Sequence, residues 1–90
     1  MKVSEKLTIQ NKLGLHLRAA AELVKVANKF KSQITVSHGV QNVNCKSLLG
    51  LMTLAASRGT ELEFIAEGED AKDALAALRQ LITLNFKEKE

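Results

Sequence analysis

An α+β fold is predicted for this chain: an open-faced sandwich in the order β-α-β-β-α-β-α, with a four-stranded antiparallel sheet covered on one face by three helices. Three observations predict it. Apolar and polar residues alternate in four short segments, which gives each strand one apolar face. Between and after these segments the apolar spacing lengthens to three and four residues, the stripe of an amphipathic helix. The 90 residues make one small domain, 1–90, and the 46% that are hydrophobic suffice for one core. One-faced strands suit an antiparallel sheet whose other face stays wet.

Each element follows from its residues. Val3, Leu7 and Ile9 alternate with Lys6, Thr8 and Gln10 in a first strand, which Asn11, Lys12 and Gly14 end. From Leu17 a helix begins, with Ala20, Leu23, Val24 and Ala27 as its buried stripe. Ser32 to Ser37 alternates again, with Ile34 and Val36 on one face. His38-Gly39 is a turn signal, and Val40 to Cys45 returns with Val43 and Cys45 facing one way, so the pair reads as a hairpin.

Ser47 then stands at the N-cap of a short helix whose stripe is Leu48, Leu51, Met52 and Ala55. Ser57-Arg58-Gly59-Thr60 closes it. Leu62, Phe64 and Ala66 alternate with Glu61, Glu63 and Glu67 in a fourth strand with an acidic outer face. Glu69 and Asp70 open the last helix, where acids suit the positive end of the dipole. Its buried stripe is Ala71, Ala74, Leu75, Leu78, Leu81 and Ile82. The tail from Lys87 to Glu90 is expected to fray.

Composition narrows the function. No apolar run reaches the length of a membrane span, and the residues after Met1 lack a signal-peptide core, so no membrane association is expected. The lone Cys45 cannot form an internal disulfide and fits a reducing cytoplasm. A net charge of +3 with interspersed signs favours acidic protein partners over nucleic acid. No Cys and His pair has zinc-site spacing, so no metal is implied. No glycine-rich nucleotide loop is present, and no cofactor is implied.

The stretch Leu13-Gly14-Leu15-His16-Leu17-Arg18-Ala19-Ala20 places a histidine where a strand segment gives way to a helix. Helix starts carry unpaired amides and a partial positive charge. A histidine there is poorly placed as a cation, but a phosphate attached to it is well placed. On position alone His16 also reads as a capping or loop histidine without chemistry, and Arg18 as an ordinary solvated helix side chain.

The segment Gly14 to Ala20 resembles the phosphorylation-site motif of the HPr family, the histidine phosphocarriers of the bacterial phosphoenolpyruvate-dependent phosphotransferase system. Lys46-Ser47-Leu48-Leu49-Gly50-Leu51-Met52-Thr53-Leu54 is similar to the family's second signature, around its regulatory serine. The element order agrees, so the resemblance covers essentially the whole chain. It implies a cytoplasmic, monomeric phosphoryl carrier rather than an enzyme. Enzyme I would phosphorylate His16 on Nδ1, and the carrier would pass the group to a histidine of a IIA protein or domain in sugar uptake. The matching Arg18 would help neutralise the phosphate. The family pattern usually has proline after this arginine, where Ala19 stands here. Alanine adds one free amide and loosens the loop, so altered phosphohistidine lifetime is expected rather than loss of reaction.

Histidine suits a reversible carrier because its unperturbed pKa leaves it largely neutral near pH 7. Helix-end interactions of roughly 0.3–1 kcal/mol each would hold the phosphoryl group without trapping it. Ser47 has a capping role from position alone. In part of the family the matching serine is phosphorylated by a dedicated ATP-dependent kinase, which makes a serine kinase or phosphatase a candidate partner. Leu49 and Met52, one turn apart, lie off the Leu48, Leu51, Ala55 line of that stripe. They read either as a broad core face or as an exposed docking patch joined by Leu17 and Ala20. His38 reads as a solvated turn residue and Cys45 as a small core residue.

Alternatives stay open at this level. A regulatory carrier of the nitrogen-related phosphotransferase branch shares the Asn11-Lys12-Leu13-Gly14 lead-in. A small nucleic-acid-binding module would want aromatic residues on its strands, where this chain has Lys, Thr, Gln and Glu. A metallochaperone would want paired cysteines, and there is one cysteine.

Overall fold

A computed structural model describes residues 1–88. The strands are β1 (Lys2–Thr8), β2 (Gln33–His38), β3 (Gln41–Asn44) and β4 (Glu61–Glu67), and the helices are α1 (Leu17–Ala27), α2 (Leu48–Thr53) and α3 (Ala71–Thr83). A single 3-10 turn, Asn85–Lys87, follows α3. The strands form one antiparallel sheet in the order β1-β4-β2-β3, as the predicted α+β sandwich requires.

Register places the apolar set on one face. Val3 and Ile34 both lie opposite Ala66, Leu7 lies opposite Leu62, and Val36 lies between Phe64 and Val43. Leu62, Phe64, Ala66 and Val36 are fully buried. A one-residue slip would turn all of them to water, so burial pins the pairing. The outer face carries the polar set, with Lys6 and Ser37 opposite Glu63.

The inner face of β1 also carries Glu5, opposite Phe64. Arg79 of α3 answers it with two hydrogen bonds: Nε donates to Oε2 at 2.8 Å and Nη2 to Oε1 at 2.9 Å. The Arg79 hydrogen bonds hold the Glu5 carboxyl below the usual range. An inward charge on an edge strand also discourages pairing with another sheet.

The last helix buries what its periodicity predicts, and the first does so except at Val24, which is only half-buried. Leu23, Ala20 and Ala27 of α1 are inaccessible, and so is Ala19. All six predicted residues of α3, from Ala71 to Ile82, are buried. Asp70 stands at the N-cap of α3 but does not cap it. Its carboxylate turns to the α1–β2 loop instead, accepting from the Ser32 hydroxyl and from the amides of Lys31 at 2.8 Å and Ser32 at 3.0 Å. The Ser32 hydroxyl first, then the Lys31 amide, hold this carboxyl below the ordinary aspartate value.

The short helix departs from its predicted stripe. Of Leu48, Leu51, Met52 and Ala55, only Leu51 is buried. A helix of six residues has too few turns for a stripe to form. Ala55 adopts a left-handed conformation, φ 49°, which ends the helix and turns Leu54 and Ala56 inward in its place. Cys45 is buried as expected, and desolvation pushes its thiol up to about 12.

The tail is more ordered than its charges suggest. Phe86 is 2% exposed and anchors the 3-10 turn against the core, while Glu88 reaches back to the start of α1. Lys89 and Glu90 of the predicted frayed tail lie outside the described residues.

Candidate functional site

Gly14 sets the geometry of the loop before α1. It adopts φ +68°, a left-handed conformation that costs glycine little. A Cβ there would lie 2.7 Å from the Ala56 carbonyl oxygen and 2.9 Å from the Ser57 Cα. The loop therefore packs directly on the backbone leaving α2, and the Leu15 amide donates to the Ala56 carbonyl at 2.8 Å. Asn11, fully buried, braces the same loop: its Nδ2 donates to the Gly14 carbonyl at 2.7 Å.

This frame presents His16 as the N-cap of α1 in extended conformation, φ −80° and ψ 178°. An α-helix leaves its first amides without intrahelical acceptors. The His16 side chain caps none of them. The His16 side chain is 28% exposed, enough for a partner protein to reach. Its Nε2 meets the Glu88 carboxylate Oε2, and Glu88 Oε1 accepts from Asn11 Nδ2 at 2.7 Å.

Arg18 projects from the first turn and is exposed. It lines a shallow cleft with Glu22, Lys25, Lys87 and Glu88, walled by Leu13 and Phe86. Three cations and two carboxylates therefore line this cleft, which meets His16 at Glu88. That balance favours an anion next to the helix start.

Ser47 is the N-cap of α2, and its Oγ accepts from the Gly50 amide at 3.0 Å. Helices α1 and α2 pack side by side, which brings the second motif alongside the first. Leu17 is 58% exposed, Leu49 81% and Met52 37%, so the reading of Leu49 as core does not hold. Ala20 is corrected in the other direction. It faces the core with Ala19 and is fully buried, so it cannot belong to an exposed patch.

Two residues of this arrangement had no functional reading in the sequence. In the sequence Asn11 is a strand breaker and part of the lead-in to Gly14, with no role at the site, and Glu88 is one charge of a tail. The available signal was Phe86, an isolated aromatic among charged residues that marks a buried anchor. His38 is exposed at the hairpin turn. Among the described residues no cluster of His, Cys, Asp and Glu is arranged to hold a metal ion, and no helix is long and apolar enough to cross a membrane. The outer face of β4 presents Glu61, Glu63 and Glu67, a surface unfavourable to a polyanion.

Comparison with known proteins agrees with the family resemblance. Residues 3–83 match the family model described as the PTS HPr component phosphorylation site. The chain is 45% identical to the phosphocarrier protein HPr of Xylella fastidiosa, over 96% of this chain and 97% of that one. It is 45% identical to the HPr-like protein Crh of Bacillus subtilis, over 84% of this chain and 89% of that one. The crystal structure of HPr-C-His from Thermoanaerobacter tengcongensis superposes with a TM-score of 0.93 at 42% identity, covering 98% of this chain and 99% of that one. A histidine set before an uncapped helix, on a fold shared along nearly the whole chain, places the protein in the HPr family, the phosphocarriers of the phosphotransferase system.

Proposed function

We propose that His16 is the phosphoryl acceptor, charged by phosphorylated enzyme I and discharged to a histidine of a IIA protein or domain in sugar uptake. The observation that carries this reading is the partly exposed imidazole at the N-cap of α1, two residues before Arg18 and ahead of amides that its own side chain leaves uncapped. Phosphoryl transfer leaves a protein little covalent work, so positioning and electrostatics dominate it. Arg18 supplies charge, the helix start supplies amides, and exposed Leu17, Leu49 and Met52 supply an apolar docking surface for both partners.

The carrier works as a cytoplasmic monomer in this reading. Ser47 is its candidate regulatory site, where a serine kinase and phosphatase would act. A phosphate there would stay favourable to α2, since it sits at a helix start, while its charge would oppose the docking of enzyme I.

Incubation with enzyme I and phosphoenolpyruvate, followed by intact mass, tests the reading. One acid-labile phosphoryl group is expected on the wild type and none on His16→Ala. A His16→Ala variant that still carries the label would overturn the assignment. Pull-down of IIA proteins decides the branch: a sugar-type partner is expected, and capture of a nitrogen-type partner alone would replace sugar uptake with regulation.

A further inference from the structure

We infer that Glu88 is a positioning residue for His16, holding the imidazole in the tautomer that keeps its proton on Nε2 and its lone pair on Nδ1. The inference rests on the carrier reading above.

The delivery of Glu88 is built at a cost. Asn85, Phe86 and Lys87 are consecutive non-glycine residues with φ of 53°, 57° and 64°. Side-chain-bearing residues visit this region singly and rarely in series, and such strain persists only where surrounding contacts over-determine it. Here the burial of Phe86 anchors one end of the turn. The carboxylate of Glu88 anchors the other, bridging His16 Nε2 and Asn11 Nδ2. Asn11 is itself tied to the Gly14 carbonyl at 2.7 Å, so the carboxylate is fixed to the loop that carries the imidazole.

The chemistry follows from the donor inventory. An ionised carboxylate only accepts, so the nitrogen it meets is the donor. In a neutral imidazole the other nitrogen then holds the lone pair. On transfer, that Nδ1 pair forms a bond to the phosphorus of a phosphohistidine donor. The donor's P–N bond breaks, and its electron pair returns to the donor imidazole. The proton on Nε2 stays where it is, so the His16 ring becomes formally cationic as it takes the dianionic phosphoryl group. Glu88 is the counter-charge of that ring, and onward transfer reverses each step. Arg18 and Lys87, which line the same cleft as Glu88, offset the repulsion between its carboxylate and the phosphoryl oxygens, while Lys25 pairs with Glu22 at 3.2 Å.

The test uses the full chain as wild type, Glu88→Gln and Glu88→Ala. Proton NMR should show a downfield, slowly exchanging imidazole N–H in the wild type that is lost in Glu88→Ala. Absence of that signal from the wild type, or its persistence in Glu88→Ala, would overturn the inference. In stopped transfer from phosphorylated enzyme I, Glu88→Gln keeps the shape and loses the charge. It should slow phosphorylation of His16 about tenfold, the scale of one charge-assisted hydrogen bond. Wild-type rates in Glu88→Gln would likewise overturn it. If the wild type takes no label at all, the carrier reading has failed, and the imidazole signal alone decides the His16–Glu88 pair.

Discussion

Replacing Gly14 with alanine should damage both stability and phosphoryl transfer, because one backbone position sets the loop that holds His16. The added methyl would meet the Ala56 carbonyl oxygen at 2.7 Å and the Ser57 Cα at 2.9 Å, both backbone atoms that cannot rotate away. The left-handed conformation costs a side-chain-bearing residue about 1–2 kcal/mol, and the stiffer unfolded chain returns about 0.4–1 kcal/mol of it. Relief of the clash needs a shift of several tenths of an ångström. Such a shift loosens the Leu15–Ala56 bond at 2.8 Å or the Asn11–Gly14 bond at 2.7 Å, each worth about 1 kcal/mol. The sum is about 1–4 kcal/mol, which leaves a domain of ordinary stability folded at 25 °C.

Urea unfolding followed by circular dichroism measures that loss. Gly39→Ala is the control: its φ of +62° is similar, but an added Cβ meets nothing within 4 Å, so it should lose only the conformational part. Displacement of the His16 loop should also slow phosphorylation by enzyme I by about 10- to 100-fold, as misplacement of a reacting group does. Equal losses in the two variants, with transfer at the wild-type rate in Gly14→Ala, would refute the reasoning.

Three further outcomes follow from single contacts. Ser47→Ala should cost about 1 kcal/mol in urea unfolding, because the Gly50 amide loses its cap, while His16 should still accept the phosphoryl group. Cys45, whose thiol burial pushes up to about 12, should react with an aromatic disulfide reagent at pH 8 only after unfolding in guanidinium; reaction of the folded protein at the rate of a free thiol would contradict its burial. Glu5 and Asp70 titrate below their unfolded values, held there by Arg79 and by Ser32 and Lys31. They therefore add stability that is complete above the ordinary carboxylate pKa of about 4 and is lost as pH falls through their lower folded values. Asp70→Asn should flatten the acid limb of a stability–pH curve, and an unchanged limb would contradict the role given to that carboxylate.

The parts of the fold that were legible are those where a local period and a tertiary face coincide. In α3 the thirteen-residue length lets the apolar stripe declare itself, and every residue from Ala71 to Ile82 in that stripe is buried. In α2 six residues cannot, so the left-handed Ala55 and the inward turn of Leu54 were invisible. Ala20 shows another limit. The sequence reads Ala20 both in the buried stripe of α1 and in the docking patch, and its burial with Leu23 and Ala27 keeps it in the stripe. The His16–Arg18 half of the candidate site was legible because both residues sit on one local motif. The Asn11–Glu88 half was not, because it joins residues 77 positions apart through a strained turn that exists only once Phe86 is buried.

The most direct test of His16 as the carrier is nitrogen-15 NMR of the histidine-labelled chain after incubation with enzyme I and phosphoenolpyruvate. Coupling of phosphorus to Nδ1 of His16, with His38 unchanged, is the expected result. Phosphorus on His38, on a serine, or on Nε2 of His16 would contradict it.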